Sequence, residues 1–542
     1  MRAVKIPDVL GQYLSGSQYE GPIALLQGAV SHVLRDNSTV FFPGYTDHGV
    51  DHVEDVLATT LRLVPPEVWN SNLFQPADAA VLIAAVLLHD IGMHMSDEGF
   101  AELVSPEREP QPHPWFSEHR GPWTLDRPWS VLWADFQSEM QHASRSKLSA
   151  MLGPGETGIP PVAFSEAGSL SPHEWAASDR LAIGEFLRRH HGRVAFETAT
   201  HGFPATSSPD FPVLSEHIPD LAPAIGLTAR SHQESLRSAI ELLRYLQGSS
   251  LRPFGALIPY HMSLLRVADY VQLEHERAPR VLLKLKQPLS PISIEEWHKH
   301  AAVANISWDH RDPKAIYLNV SPRHSLRVHL ALQNLFAGLV AELDTTNAVL
   351  SELYGRGELM PLALTKHRIA TNLTAPSLTR ELPYVPRRAR LKSGTDLFRL
   401  LVGNVYGKRP DVAGRELIQN AVDAVRELRR DAISTGLEDD LTAEDGQIKV
   451  ALRQLTSTSY VLGVSDRGIG MTPDTVIDYF LTAGASFGAP PGTYARLSRS
   501  EAAQTVKAGR FGVGAHAAFL LGPTMKVATR HAAYTRGLVC TV

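Results

Sequence analysis

The chain has 542 residues, too many for one hydrophobic core, and the length alone argues for roughly three or four domains. Its 44% hydrophobic and 20% charged residues are those of an ordinary soluble globular protein, and a formal net charge of -5 gives no reason to expect a strongly basic nucleic-acid surface, leaving room only for a local groove. A single cysteine, Cys540, excludes an internal disulfide and any metal cluster built on cysteines, which fits a reducing compartment. Any metal site must therefore draw on carboxylates and on the 24 histidines.

The opening "MRAVKIPDVLGQYLSG" has no signal-peptide pattern, and the longest apolar run, Ala79 to Leu88, is short for a bilayer. The expectation is a cytoplasmic protein with no membrane association. Residues 1–44 read as a helical lead-in, from the apolar spacing of "GPIALLQGAVSHVL". Residues 45–278 are mainly helical, broken over about 105–171 by a Pro- and Trp-rich insertion that opens "SPEREPQPHPWFSEHRGPW". It carries too many breakers for long helices and is expected to cover or extend a site. Residues 279–390 form a small α+β connector, with a strand-like "AIYLNVSP" and a helical "HSLRVHLALQNLFAGLVAELDTTNAVLSELY", closing in the linker "LPYVPRRARLKSG". Residues 391–542 predict a helix over Gly414–Arg430, a strand pair in "GQIKVALRQL" and "SYVLGVSD", a glycine-rich loop and two further strands. There is no internal repeat and no low-complexity tract.

The helical half holds ionisable groups where packing would prefer aliphatic ones. "AAVLLHDIGMH" places His89 and Asp90 inside an apolar run, a costly burial unless a cation compensates. Upstream, "YTDHGVDHVEDVL" puts His48 and His52 four residues apart, on one face of a helix. Downstream come His190 and His191 in "EFLRRHHGRVA", His232 in "TARSHQESL" and Asp269 in "SLLRVADYVQLEH". Taken singly, His48, His190 or His232 reads as a hydrogen-bonded structural histidine; the ordered set supplies ligands for one or two divalent ions. His94, His113, His119, His142, His173 and His261 read as surface or supporting residues.

This order resembles the HD superfamily of metal-dependent phosphohydrolases over about Tyr45 to Ala278. The resemblance implies a helical bundle with His52, His89, Asp90, His191, His232 and Asp269 as inward-pointing metal ligands, His190 being able to replace His191. Asp90, bridging two ions, would be the most sensitive of them. Manganese, magnesium, iron or zinc would serve, and the substrate would be a nucleotide or another phosphate ester, its identity set by the shape of the pocket.

In the last segment, "GRELIQNAVDAVRELRR" places Glu416, Asn420 and Asp423 on one face of a helix that packs through Leu417, Val422 and Val425. "VLGVSDRGIGMT" ends a strand at Asp466 and bends through Gly468 and Gly470 to Met471, where backbone can approach a ligand closely. "KAGRFGVGAHAAFLLG" opens a helix from a loop carrying Gly512, Val513 and Gly514, an arrangement that presents backbone N–H groups to phosphate. In this order the motifs resemble the GHKL ATPases, and "ELIQNAVDA" and "GRFGVGAHAAF" stand nearest to the ninety-kilodalton heat-shock chaperone. That resemblance implies an α/β sandwich of the Bergerat type, expected here to be cut short after "GLVCTV". It implies Glu416 as general base, Asn420 on magnesium, Asp423, Asp466, Gly468, Gly470 and Met471 around the nucleotide, and Gly512, Val513 and Gly514 at the phosphates.

Together the two resemblances imply an HD phosphohydrolase coupled to an ATP-dependent switch that dimerises through its ATPase domain. They place it by architectural analogy in bacterial stress response or antiviral defence. The other reading is an ATP-driven chaperone or scaffold whose HD module senses a ligand without catalysis. Nuclease action would need a basic groove, and "VPRRARLK" reads more simply as a solvated linker.

Overall fold

The computed structural model describes residues 3–35, 39–43, 48–106, 127–143, 148, 175–204, 211–273, 291–308, 312–387, 410–435, 442, 444–457, 459–482 and 518–542. The chain divides into two compact units, Met1–Glu381 and Leu382–Val542.

The first unit is a helical bundle built around one central helix, Pro76–Leu88. Pro76 presets the first turn, and the Asp78 carboxylate accepts the Gln75 N–H at 2.9 Å, so orphan donors at the helix start are satisfied. Every residue from Asp78 to Leu88 is buried, as befits a helix that is apolar on all sides. The same helix runs on through the turn Ile91–His94 and is long and apolar enough to cross a membrane, but 89% of that window is buried inside the protein. It is accounted for as the core helix.

Around it lie Glu20–Arg35, Val50–Leu63, Ala177–His201, Ala222–Ser231 and Ile258–Tyr270. Two helices meet closely at Gly226, where an added Cβ would stand 2.8 Å from the Phe196 ring. The start of the core helix is pinned to the start of Ile258–Tyr270 through buried Asp78, which accepts from the Leu257 N–H at 2.6 Å and lies 3.0 Å from His261 Nε2 and 3.1 Å from Arg252 Nη1. His261 is wholly buried, which leaves the supporting role of its two readings.

Within the expected insertion, Trp129–Gln141 is a 13-residue helix, contrary to the reading that breakers forbid long helices there. The reason is a local stripe: Trp129, Trp133, Phe136 and Met140 recur at helical spacing and are all buried. Most of the remaining insertion lies outside the described residues. The stretch read as a connector contributes a three-stranded sheet to the first unit, with β1 (Val303–Ser307) antiparallel to β2 (Ala315–Val320), and β2 parallel to β3 (Arg368–Thr371). Its helix Leu326–Tyr354 begins at Ser325, whose hydroxyl accepts from the Val328 N–H, and packs against Ile258–Tyr270.

In the second unit the helix Pro410–Thr435 packs on an antiparallel hairpin of β4 (Ile448–Gln454) and β5 (Tyr460–Asp466). A further hairpin pairs β6 (Lys526–Thr529) with β7 (Leu538–Thr541). Among the described residues these small sheets stay separate.

A candidate metal centre in the helical bundle

The bundle brings the dispersed histidines and aspartates together. His52 comes from the Val50–Leu63 helix, His89 caps the core helix, Asp90 follows it, and Asp269 lies near the end of Ile258–Tyr270. His191 and His232 come from Ala177–His201 and from the end of Ala222–Ser231. His52, His89, Asp90 and Asp269 can hold one metal ion, and Asp90, His191 and His232 another.

The Asp90 carboxylate divides between the two sets. Its Oδ2 lies 3.4 Å from His52 Nε2 and 3.3 Å from His89 Nε2, with Asp269 Oδ1 3.5 Å and 3.7 Å from the same nitrogens. Its Oδ1 lies 3.4 Å from His191 Nε2 and 3.7 Å from His232 Nε2. A carboxylate with each oxygen facing a separate group of imidazoles has the form of a bridging ligand.

Hydrogen bonding fixes which ring nitrogen faces inward. The Nδ1 atoms of His89, His191 and His232 lie 2.7, 2.9 and 2.5 Å from the backbone carbonyls of Val86, Arg188 and Ala229. A carbonyl only accepts, so the Nδ1 of His89 and of His232 donates, while His191 Nδ1 also meets the Gln233 amide nitrogen at 3.0 Å; all three Nε2 atoms face the cluster. His191 Nε2 and His232 Nε2 are only 2.7 Å apart. Burial holds both rings below the ordinary imidazole value, His232 at about 4 with His191 and His89 adding to the effect. Both are thus neutral near pH 7, and their Nε2 atoms stand close enough together, with Asp90 Oδ1, to face one cation. The donor set fits divalent metal.

The other half is electrostatically different. Burial opposes charge on His89, yet the Asp90 and Asp269 carboxylates outweigh it and hold the imidazole well above its ordinary value. Burial likewise opposes ionisation of Asp90, and His89, His48 and His52 hold it well below the carboxylate range. Asp269 is lowered in the same way, chiefly by His89 against the penalty of burial. Without metal, a proton on His89 takes the place of the cation.

His48 is the residue that sequence reasoning passed over. The helix starts at Val50, so His48 and His52 do not share a helix face, which corrects that expectation. Its Nδ1 nevertheless lies 2.8 Å from Asp90 Oδ2, and His94 Nε2 meets the His48 carbonyl at 3.0 Å. The signal was present in "TDHGVDH", where a glycine between the two histidines permits a turn. His190 points elsewhere: its ring lies 4.7 Å from Phe186 and 5.9 Å from Trp129 between centroids, and burial with nearby Arg193 and Arg189 pushes it down to about 4. Of the two adjacent histidines, it is His191 that faces Asp90. Gly92 gives the turn room, since an added Cβ would stand 3.1 Å from the His191 backbone.

In the second unit Glu416 and Asp423 are half-buried and Asn420 is exposed along Pro410–Thr435. They border a buried stripe of Ala413, Ala421 and Val425; Leu417 and Val422 are only half-buried, so the packing rests more on alanines than expected. After β5, Asp466 accepts from the Gly468 N–H at 2.9 Å, and Ile469 N–H donates to the Ala424 carbonyl at 3.0 Å. Gly470 has φ 69 and lies against the Arg530 backbone, and Met471 N–H donates to Thr529 Oγ1 at 2.9 Å. The loop is thereby wedged between the helix and β6. Gly512, Val513 and Gly514 lie outside the described residues.

A helical bundle converging on a paired His and Asp cluster that could hold metal is the arrangement of an HD-type domain. The HD-CE family model matches residues 42–345, and the chain belongs to that family. A further stretch is similar to the chaperone protein HtpG. The protein of that name from Vibrio atlanticus is 35% identical over 136 residues, 25% of this chain and 20% of the relative. That from Pasteurella multocida is 36% identical over 139 residues, again 25% of this chain and 20% of the relative. The chain thus spans about a fifth of the length of the curated relatives it matches. No solved structure matches. The pairing of an HD domain with a chaperone-like segment is as the sequence led us to expect.

Proposed function

We propose that the protein is a metal-dependent phosphohydrolase, acting on a nucleotide or another phosphate ester, whose HD centre is governed by an ATP-binding, chaperone-like module. The observation that carries the hydrolase reading is the division of the Asp90 carboxylate between two imidazole sets. Divalent metal held there supplies Lewis acidity toward phosphoryl oxygen and brings the pKa of water down to about 7. His52, His89, Asp90 and Asp269 would hold one ion, and Asp90, His191 and His232 the other. His48 orients the shared carboxylate from outside, a role that commonly matters about 10- to 100-fold.

In the second unit the same reading gives Glu416 the task of orienting water, Asn420 that of holding magnesium, and Asp466, Gly468, Gly470 and Met471 the adenine side. Asp423, Gly512, Val513 and Gly514 complete the nucleotide site. Closure over ATP, with pairing of two chains through this module, would gate the HD centre. The combination suits a cytoplasmic effector of bacterial stress response or antiviral defence.

The test is a panel of nucleotides, cyclic dinucleotides, alarmones and single-stranded DNA, incubated with manganese- or magnesium-loaded protein and read by chromatography. Turnover abolished in Asp90→Ala and altered in Glu416→Ala is the expected result. Full activity in Asp90→Ala would sink the hydrolase reading. A second reading is supported by the similarity to HtpG: an ATP-driven chaperone or scaffold with a ligand-sensing HD module. It takes over if ATP alone is consumed and only Glu416→Ala stops it.

A further inference from the structure

A second cluster of charged and aromatic side chains lies in the first unit, away from the metal centre. The end of the Val50–Leu63 helix, the end of β1 and the segment leading into β3 enclose a cleft of about 590 Å³ lined by Arg62, Asn305, Ile306, Ser307, Trp308 and Lys366. A cleft of that size accommodates a small molecule. Thr365 staples the two edges together, its N–H donating to the Leu63 carbonyl at 2.8 Å and its hydroxyl to the Arg62 carbonyl at 2.6 Å.

Two cations converge on one indole. The Arg62 guanidinium carbon lies 5.5 Å from the Trp308 ring centroid, and the Lys366 ammonium lies 6.0 Å from it. Lys366 is 7% exposed, and its ammonium donates to the carbonyls of Trp308 at 2.6 Å and Pro313 at 2.8 Å. Those neutral acceptors solvate the charge without neutralising it, and the third N–H remains. The Arg62 guanidinium has no ion pair with any described residue. The Asp312 carboxylate, four residues beyond Trp308, is already engaged by Arg368 at 2.7 Å.

We propose that this cleft binds the phosphate group of a small molecule. Among the described residues neither cation makes an ion pair, so the cleft carries positive charge that an oxyanion complements. A guanidinium held beside an aromatic ring by its charge still offers a planar N–H fork, and that fork matches phosphate with two parallel hydrogen bonds. The Asn305 amide and the Ser307 hydroxyl add polar groups that bond no described residue. Arg62 stands ten residues beyond His52 on the same helix, about 15 Å along its axis, so this anion sits apart from the metal centre. The site stands or falls independently of the hydrolase reading.

The experiment titrates chelator-treated full-length protein at constant ionic strength with inorganic phosphate and, separately, with AMP, following tryptophan emission. A saturable change is expected, absent in Trp308→Phe and weakened at least about tenfold in Arg62→Gln, with partial recovery in Arg62→Lys. Arg62 is exposed, so its replacement leaves the fold intact, which circular dichroism checks. Equal affinity for both ligands identifies free phosphate as sufficient, and tighter AMP identifies a nucleotide. An unsaturable change, the same change with chloride, or equal affinities in wild type and Arg62→Gln overturns the proposal.

Discussion

The two units use polar residues in opposite ways. In the first, His52, His89 and Asp90 are almost wholly removed from solvent and converge from separate helices. In the second, Glu416, Asn420 and Asp423 lie along one helix, half-buried or exposed, with Asp466 on the following hairpin. A converging buried cluster is held by the whole bundle and costs stability unless it is filled. A stripe on an exposed face costs little and becomes a site only when a ligand closes over it.

The sharpest break in that comparison is Asp90→Ala. It removes the ligand shared by both halves, so metal per chain by mass spectrometry should fall to background and turnover by at least about 100-fold. Retention of metal would mean that the halves are independent. Next is Asp78→Ala, which strips a buried carboxylate from His261, Arg252 and the Leu257 N–H. A loss of about 3–5 kcal/mol is expected by denaturant unfolding, with metal content falling in parallel. His232→Ala should remove one ion of two and leave the half at His52, His89 and Asp269 loaded, which metal analysis reads directly. Glu416→Ala should leave both melting temperature and metal content unchanged, because its side chain borders the core without filling it. Smallest is a pH effect: burial, with His324 beside it, holds His329 at about 4 against an ordinary 6.5. The ring is neutral when folded and takes a proton when unfolded, so stability is lost as pH falls from 6.5 toward 4. His329→Leu should therefore narrow the gap between melting temperatures at pH 7 and pH 5.

Much of the candidate cluster was legible because burying His89 and Asp90 in an aliphatic helix is expensive and therefore conspicuous in the sequence. His191 could not be separated from His190 that way. Both sit in the same helix turn, and only the aromatic packing of Phe186 and Trp129 around one of them decides which faces Asp90. His48 escaped because it acts from the turn before the helix, where periodicity has nothing to say. The insertion helix was missed since proline and glycine nearby outweighed its tryptophan stripe. Of the sheet in the first unit, β2 was evident from its alternation. β1 and β3 were not: short strands with little buried surface leave a weak pattern.

The core helix runs without interruption from its capped start at Gln75 to His89, buried on every side. Packing faults anywhere along it are therefore delivered to the ligand at its end. Replacing Val81 or Leu82 by alanine should register first as a drop in bound metal, before unfolding becomes measurable. Metal content then serves as a gauge of how well the interior is filled, and a survey of core variants needs no substrate to be read.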